Sequence, residues 1–140
     1  MGKIYSYQIV SDAYTTYRAN LPEGGQELAT IDGITYVFVP GELPEQPAEI
    51  AVIEVTLDTA LKEAIKAASP HCQLISSRME ERIRARYPVS AEQYFSRIGV
   101  GVALGVYAFQ PGEQEELLAF GAFVEEVRQW GREQRAELGL

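Results

Sequence analysis

The sequence predicts an α+β protein, with a small N-terminal antiparallel sheet followed by a C-terminal helical region. Up to about residue 55 the apolar residues fall in short, β-branched runs, and beyond it they recur with the spacing of a helix. The chain has 140 residues, of which 46% are hydrophobic and 23% charged, enough apolar material to bury a core. We therefore divide it into a β region with a proline-rich connector, residues 1–56, and a helical region, residues 57–140.

Four segments of the β region have the composition of strands. Residues 3–10 and 50–55 are rich in aromatic and β-branched side chains. Residues 28–31 and 34–39 flank the pair Asp32-Gly33, which tolerates the positive φ angles of a type I′ turn. The sequence therefore predicts a hairpin across that pair.

Loops separate these segments. Residues 11–26 contain Ser, Asp, Asn, Pro and a pair of glycines, which is typical of a loop with a short turn inside it. Residues 40–49 contain three prolines, which cannot supply the N–H groups of a ladder. We expect an extended connector there.

The first two helices of the helical region carry start and stop signals. Asp58 has the side chain of an N-cap for a helix over residues 57–68. Ser69-Pro70 is an N-cap followed by proline at the first helical position, where its missing N–H costs nothing. The second helix should place Cys72, Ile75, Met79 and Ile83 on one face and end before Pro88.

Two more helices follow. Ser90 and Gln93 match a capping box for the third helix. The last helix should span residues 113–137, with its apolar side inward. That side comprises Leu117, Phe120, Phe123 or Val124, Val127 and Trp130.

Residues 98–109 fit two structures. Apolar residues alternate with small ones, as in a strand, but they also fall at helical spacing. Three glycines disfavour a helix by roughly 1 kcal/mol each relative to alanine. Because the capping box at Ser90 precedes this segment and no turn signal precedes Ile98, we favour a helix over a strand.

The inventory of reactive side chains is small. The net charge of -8 disfavours binding to phosphate backbones or anionic membranes, so we expect neither nucleic acid nor membrane as a partner. One cysteine and one histidine are too few for a zinc site, and the glycines near residue 100 lack the βαβ frame of a dinucleotide site. The sequence predicts no catalytic, cofactor-binding or metal-binding residue, and therefore no enzyme and no cofactor.

Two other classes of function compete with a structural role. Cys72, close to the start of the second helix and next to His71, is the only candidate nucleophile for a small cysteine-dependent enzyme, although a buried structural cysteine fits as well. An acidic decoy that occupies a nucleic-acid-binding protein is the other alternative, but the predicted helix faces mix both signs of charge. A single cysteine also suits a reducing compartment, the cytoplasm.

Aromatic residues are the best candidates for a protein contact. Tyrosine and tryptophan are enriched at protein interfaces because a large apolar ring carries a polar group. The candidates are Tyr5, Tyr7, Tyr14 and Tyr17 in the β region, with Phe123 and Trp130 in the last helix. For each single tyrosine, packing within the sheet is the competing interpretation.

Two segments carry a resemblance to a known family. Residues 83–92, I-R-A-R-Y-P-V-S-A-E, with Arg97 after them, and residues 123–133, F-V-E-E-V-R-Q-W-G-R-E, resemble small accessory proteins of phage and prophage tails. The family usually has Ser where this chain has Pro88, and Asp where it has Ala91. The resemblance implies a non-enzymatic tail or tail-fibre accessory protein or assembly chaperone.

The resemblance also implies a setting. The expected partner is a tail or fibre protein, or a second copy of the chain, because the last helix is suited to self-association. The expected location is the cytoplasm of a bacterial host or the assembled virion.

Overall fold

The computed structural model describes residues 2–140. It confirms the α+β class, with an antiparallel sheet near the N-terminus followed by helices. The strands are β1 Lys3–Tyr7, β2 Val10–Ser11, β3 Thr16–Tyr17, β4 Gln26–Ile31, β5 Ile34–Val39 and β6 Ile53–Val55. The helices are α1 Thr59–Ala68, α2 Pro70–Arg86, α3 Val89–Ala103 and α4 Glu113–Ala136.

Four strands form the main sheet in the order β4-β5-β1-β6, so β4 and β6 are its edges. All neighbours are antiparallel, and β2 and β3 form a separate small hairpin. The predicted turn between β4 and β5 is confirmed, because Asp32 and Gly33 have φ angles of 51° and 80°. The β4–β5 register shifts between Glu27 and Ala29, which is a β-bulge.

The chain forms two compact units. One comprises residues up to Ile75 together with Gln134–Leu140, and the other comprises Ser76–Glu133. The division at residue 56 predicted above follows the change from strands to helices instead.

In the first unit both faces of the sheet are covered. Phe38 belongs to a core cluster on one face and Val37 to a cluster on the other, as strand alternation requires. The first cluster comprises Ile4, Leu28, Ala29, Phe38, Ile65, Cys72 and Leu140; the second comprises Tyr7, Val37, Val39 and Ile50.

The second unit is helical. Its buried side chains include Ile83, Phe95, Ile98 and Val127. The Phe95 and Phe120 rings stack with centroids 5.0 Å apart, and Tyr87 meets Phe120 edge to face at the same distance. The predicted inward side of α4 is confirmed, because all of its predicted residues are buried or half-buried.

Most of the predicted helix ends are confirmed. The Asp58 Oδ1 accepts a hydrogen bond from the Leu61 N–H at 2.7 Å, as an N-cap does. The Ser69 Oγ accepts from the Cys72 N–H at 3.4 Å at the start of α2. The predicted capping box at Ser90 and Gln93 is wrong. Pro88 is the N-cap instead, because its carbonyl accepts the first backbone bonds of α3 and leaves Ser90 inside the helix.

The ambiguous segment after Ile98 is helical only as far as Ala103. There the Val106 N–H bonds to the Gly101 carbonyl, and the Gly105 N–H to the Val102 carbonyl. This pair of bonds is a Schellman motif, and Gly105, at φ 75°, occupies its left-handed position. Gly105, one of the three glycines that disfavour a helix, is therefore the residue that ends α3.

The predicted strands at residues 3–10 and 50–55 are shorter than expected. The first leaves the main sheet after Tyr7, and the chain then enters the small hairpin. In the second, the Ile50 N–H bonds to the Pro47 carbonyl at 3.4 Å, which holds the chain in a turn before β6 begins at Ile53. No helix within residues 2–140 has the length and apolar character needed to cross a membrane.

Candidate protein-binding surfaces

The hairpin tip, residues 12–15 between β2 and β3, presents an aromatic ring to solvent. The Asp12 Oδ1 accepts hydrogen bonds from the Tyr14 N–H at 2.8 Å and the Thr15 N–H at 2.7 Å. The Asp12 N–H donates in return to the Thr15 carbonyl at 2.9 Å. These bonds fix the turn, and the Tyr14 side chain leaves it with 97% of its surface exposed.

The charge of Asp12 strengthens this turn. The backbone N–H of Tyr14, and then that of Thr15, hold the pKa of the Asp12 carboxyl below its ordinary value, because both bonds favour the ionised form. The Ser11 and Thr16 hydroxyls meet across the small ladder at 3.1 Å. The exposed ring is therefore carried on a turn whose backbone is already ordered.

The other predicted tyrosines of the β region have different surroundings. Tyr7 is buried in the core cluster of Val37 and Val39, and Tyr5 and Tyr17 are half-buried against the same cluster. All four tyrosines were equal candidates for a contact in the sequence, but in the structure Tyr14 is the one of the four that is almost fully exposed.

In the second unit, Phe123 and Trp130 are half-buried and carry arginine on their faces. The Arg82 guanidinium lies 5.0 Å from the centre of the Trp130 ring, and that of Arg86 lies 4.7 Å from the centre of the Phe123 ring. Arg84, between them in sequence, pairs with Glu80 and Glu92. The sequence did not indicate these stacked cations.

The α3–α4 junction, residues 104–112, was not indicated by the sequence either. Glu113, the first residue of α4, is only 8% exposed although it is a carboxylate. Its Oε1 accepts from the Tyr107 hydroxyl and the Gln110 N–H, both at 2.6 Å, and its Oε2 accepts from the Tyr94 hydroxyl. The carboxylate therefore ties α3, the junction and α4 together.

The titration of this cluster follows from its hydrogen bonds. The two phenol donors, Tyr107 first, hold the pKa of Glu113 below its ordinary value. The same bonds raise the pKa of Tyr94 to about 12 and raise that of Tyr107. A general base needs a pKa near neutrality, whereas these shifts move the pKa values of Glu113, Tyr94 and Tyr107 further from neutrality. The arrangement is suited to holding the junction in place.

The ordered junction exposes apolar side chains. Leu104 and Val106 are 71% and 79% exposed, and Val100 on the last turns of α3 is also exposed. Tyr107 packs closely on α3, and a Cβ added at Gly101 would lie only 2.9 Å from the Tyr107 Cβ. This close approach explains why position 101 is a glycine. We call Val100, Leu104 and Val106 the junction surface. Exposed apolar groups of this kind are often contact sites.

Cys72 is buried, with 3% of its surface exposed, in the core cluster with Ile4 and Phe38. A buried thiol has little access to a substrate, which disfavours the cysteine-dependent alternative. Within residues 2–140, no three or more His, Cys, Asp or Glu side chains are grouped so that they could hold a metal ion.

The fold and these surfaces define an α+β protein with ordered, exposed aromatic and apolar groups. The chain matches no protein-family model, no curated protein and no solved structure.

Proposed function

We propose that this chain is a non-enzymatic accessory or assembly protein of a phage or prophage tail, acting through protein–protein contacts in the cytoplasm of the host or in the virion. The resemblance of residues 83–92 and 123–133 to tail accessory proteins supports the setting. The observation that carries the contact role is Tyr14, an almost fully exposed ring on an ordered turn.

An exposed tyrosine on a rigid turn is well suited to binding. Its ring can bury a large area in a partner, while little backbone entropy is lost because Asp12 already fixes the turn. Residues of this type are often the few that dominate the energy of an interface. The junction surface offers further apolar contact area on the second unit.

The test is affinity capture from cells that express a complete tail gene cluster, followed by titration of the captured tail protein against purified variants. We expect Tyr14→Ala to weaken binding by about thirtyfold, the effect of losing roughly 2 kcal/mol at a dominant contact. Tyr14→Phe keeps the ring and should retain most of the affinity. Asp12→Ala, which frees the turn, should give an intermediate loss.

Two outcomes would overturn the proposal. A folded chain that captures no tail or fibre protein would contradict the tail setting. A captured tail protein that binds Tyr14→Ala as tightly as the wild type would remove the tip from the interface. The variant Leu104→Asp then tests whether the junction surface makes the contact instead. A separate sedimentation measurement on the purified chain tests for self-association.

A further inference from the structure

Strand β4 is an open edge of the main sheet. It pairs with β5 on one side, and no strand formed by residues 2–140 lies on its other side. The pair Ile31–Ile34 closes the two-residue turn, so the backbone groups of Ile31 and Ala29 point to β5. The N–H and C=O of Thr30, between them, then point to the open side.

Two observations agree with this assignment. The Thr30 and Thr35 hydroxyls lie 2.8 Å apart, as side chains do in the closer, non-hydrogen-bonded type of pair. Outside the sheet ladder, no backbone hydrogen bond among residues 2–140 involves residues 26–31. The outward N–H and C=O of Thr30, an exposed residue, therefore have no backbone partner within residues 2–140, whereas Leu28 and Ala29 are buried.

A cavity of about 440 Å³ lies along this edge. Five consecutive β4 residues, Gln26–Thr30, line it together with Ala68, Pro70 and His71 from the corner between α1 and α2. Its volume is within the range of ligand-binding clefts. All the lining residues belong to the first unit.

We infer that this cleft binds an extended segment of another protein, which adds to β4 as a fifth strand of the sheet. Main-chain hydrogen bonds to Thr30 would supply the pairing, as in other cases of strand addition. The inference rests on the proposed function for the kind of partner and names a separate site for it.

The charge of this chain indicates which extended segments the cleft should favour. Glu27 lines the cleft, and its carboxylate also pairs with the exposed Arg18 guanidinium at 3.4 Å. The whole chain carries a net charge of -8. A segment with lysine or arginine is therefore favoured over an acidic one. A second copy of the chain would bring the same net charge to the cleft and is disfavoured. The bulge after Glu27 interrupts the edge and also opposes pairing of two β4 strands.

Thr30 allows a matched pair of variants. Thr30→Pro removes the outward N–H and places a ring at the open side, a change that edge strands tolerate. Thr30→Ala keeps that N–H, and both variants lose the bond between the Thr30 and Thr35 hydroxyls. Circular dichroism and thermal unfolding would establish that both remain folded.

The probe is a display library of random linear peptides, selected on the wild-type chain. Selected peptides are then synthesised and titrated by fluorescence anisotropy. We expect basic sequences to be enriched and Thr30→Pro to bind them about tenfold more weakly than Thr30→Ala. Glu27→Gln should reduce the preference for basic over acidic peptides. Amide hydrogen exchange should show protection at Thr30 when the peptide is bound.

Several results would overturn the inference. One is a failure to enrich any peptide, and another is equal binding by the two Thr30 variants. A third is dimerisation of the wild type that Thr30→Pro abolishes, because the edge would then bind a second copy of the chain. The Tyr14→Ala variant separates this site from the hairpin tip. It should bind the peptides like the wild type, even if it has lost the tail protein.

Discussion

Gly131 in α4 is a position where two effects on stability oppose each other. An ideal Cβ built there would lie 2.3 Å from the Met79 Sδ and 3.0 Å from its Cε, so alanine cannot enter without moving that side chain. Overpacking of this kind costs about 1–3 kcal/mol. Replacing glycine by alanine inside a helix returns about 1 kcal/mol. The overlap with the sulfur is deep and Gly131 is buried, which raises the cost, whereas the flexibility of methionine lowers it, so we take the middle of the range, about 2 kcal/mol.

We therefore expect Gly131→Ala to lower the free energy of unfolding by about 1 kcal/mol, the difference between the two terms. In a Met79→Ala background the obstacle is gone, and the same change should raise the free energy of unfolding by about 1 kcal/mol. The coupling between the two positions is then about 2 kcal/mol, which is large for a double-mutant cycle. Urea unfolding followed by far-ultraviolet circular dichroism measures the free energy of unfolding of the wild type, the two single variants and the double variant.

Gly121 provides the control, since it lies in the same helix and is exposed. Apart from its chain neighbours and the backbone of its own helix, no atom of residues 2–140 lies within 4 Å of a Cβ added there. Gly121→Ala should stabilise by about 1 kcal/mol in both backgrounds. If Gly131→Ala stabilises as much as Gly121→Ala while Met79 is present, close packing at Gly131 is not its reason. If the loss persists without Met79, the reasoning fails as well.

Two further predictions concern the helix starts. Asp58→Ala should lower the free energy of unfolding by about 1 kcal/mol, because the Leu61 N–H loses its acceptor, and Asp58→Asn should retain most of that energy; urea titration measures both. The pKa of Glu113 is lowered in the folded chain, so its contribution is present above the ordinary value of 4.5 and is lost as pH falls through the lowered pKa. Glu113→Gln should therefore flatten stability against pH in that acidic window, and an unchanged slope would contradict the role of the two phenols.

The parts of the fold that the sequence predicted depend on neighbours in the chain. The Asp32-Gly33 turn needs positive φ angles at two adjacent residues, and Asp58 caps a residue three positions away. The inward side of α4 follows from a spacing that the helix itself imposes. The capping box at Ser90 failed for a local reason too, because Pro88 began the helix earlier.

The candidate sites depend on residues that are distant in sequence. Tyr7 and Tyr14 are the same residue type in one short region, yet one lies in the core and the other is exposed. Glu113 accepts a hydrogen bond from Tyr94, which lies nineteen positions earlier in the chain. A glutamate at the start of a helix does not by itself indicate such a bond.

By itself, the sequence determined the class of fold, its main turn and the apolar sides of its helices, because these follow from backbone preference and side-chain periodicity. Only the tertiary structure decided which tyrosine is exposed, how Glu113 orders the α3–α4 junction, and that a cleft runs along the open edge of β4. Burial and the meeting of distant groups arise when the elements pack together, and local pattern carries no record of them.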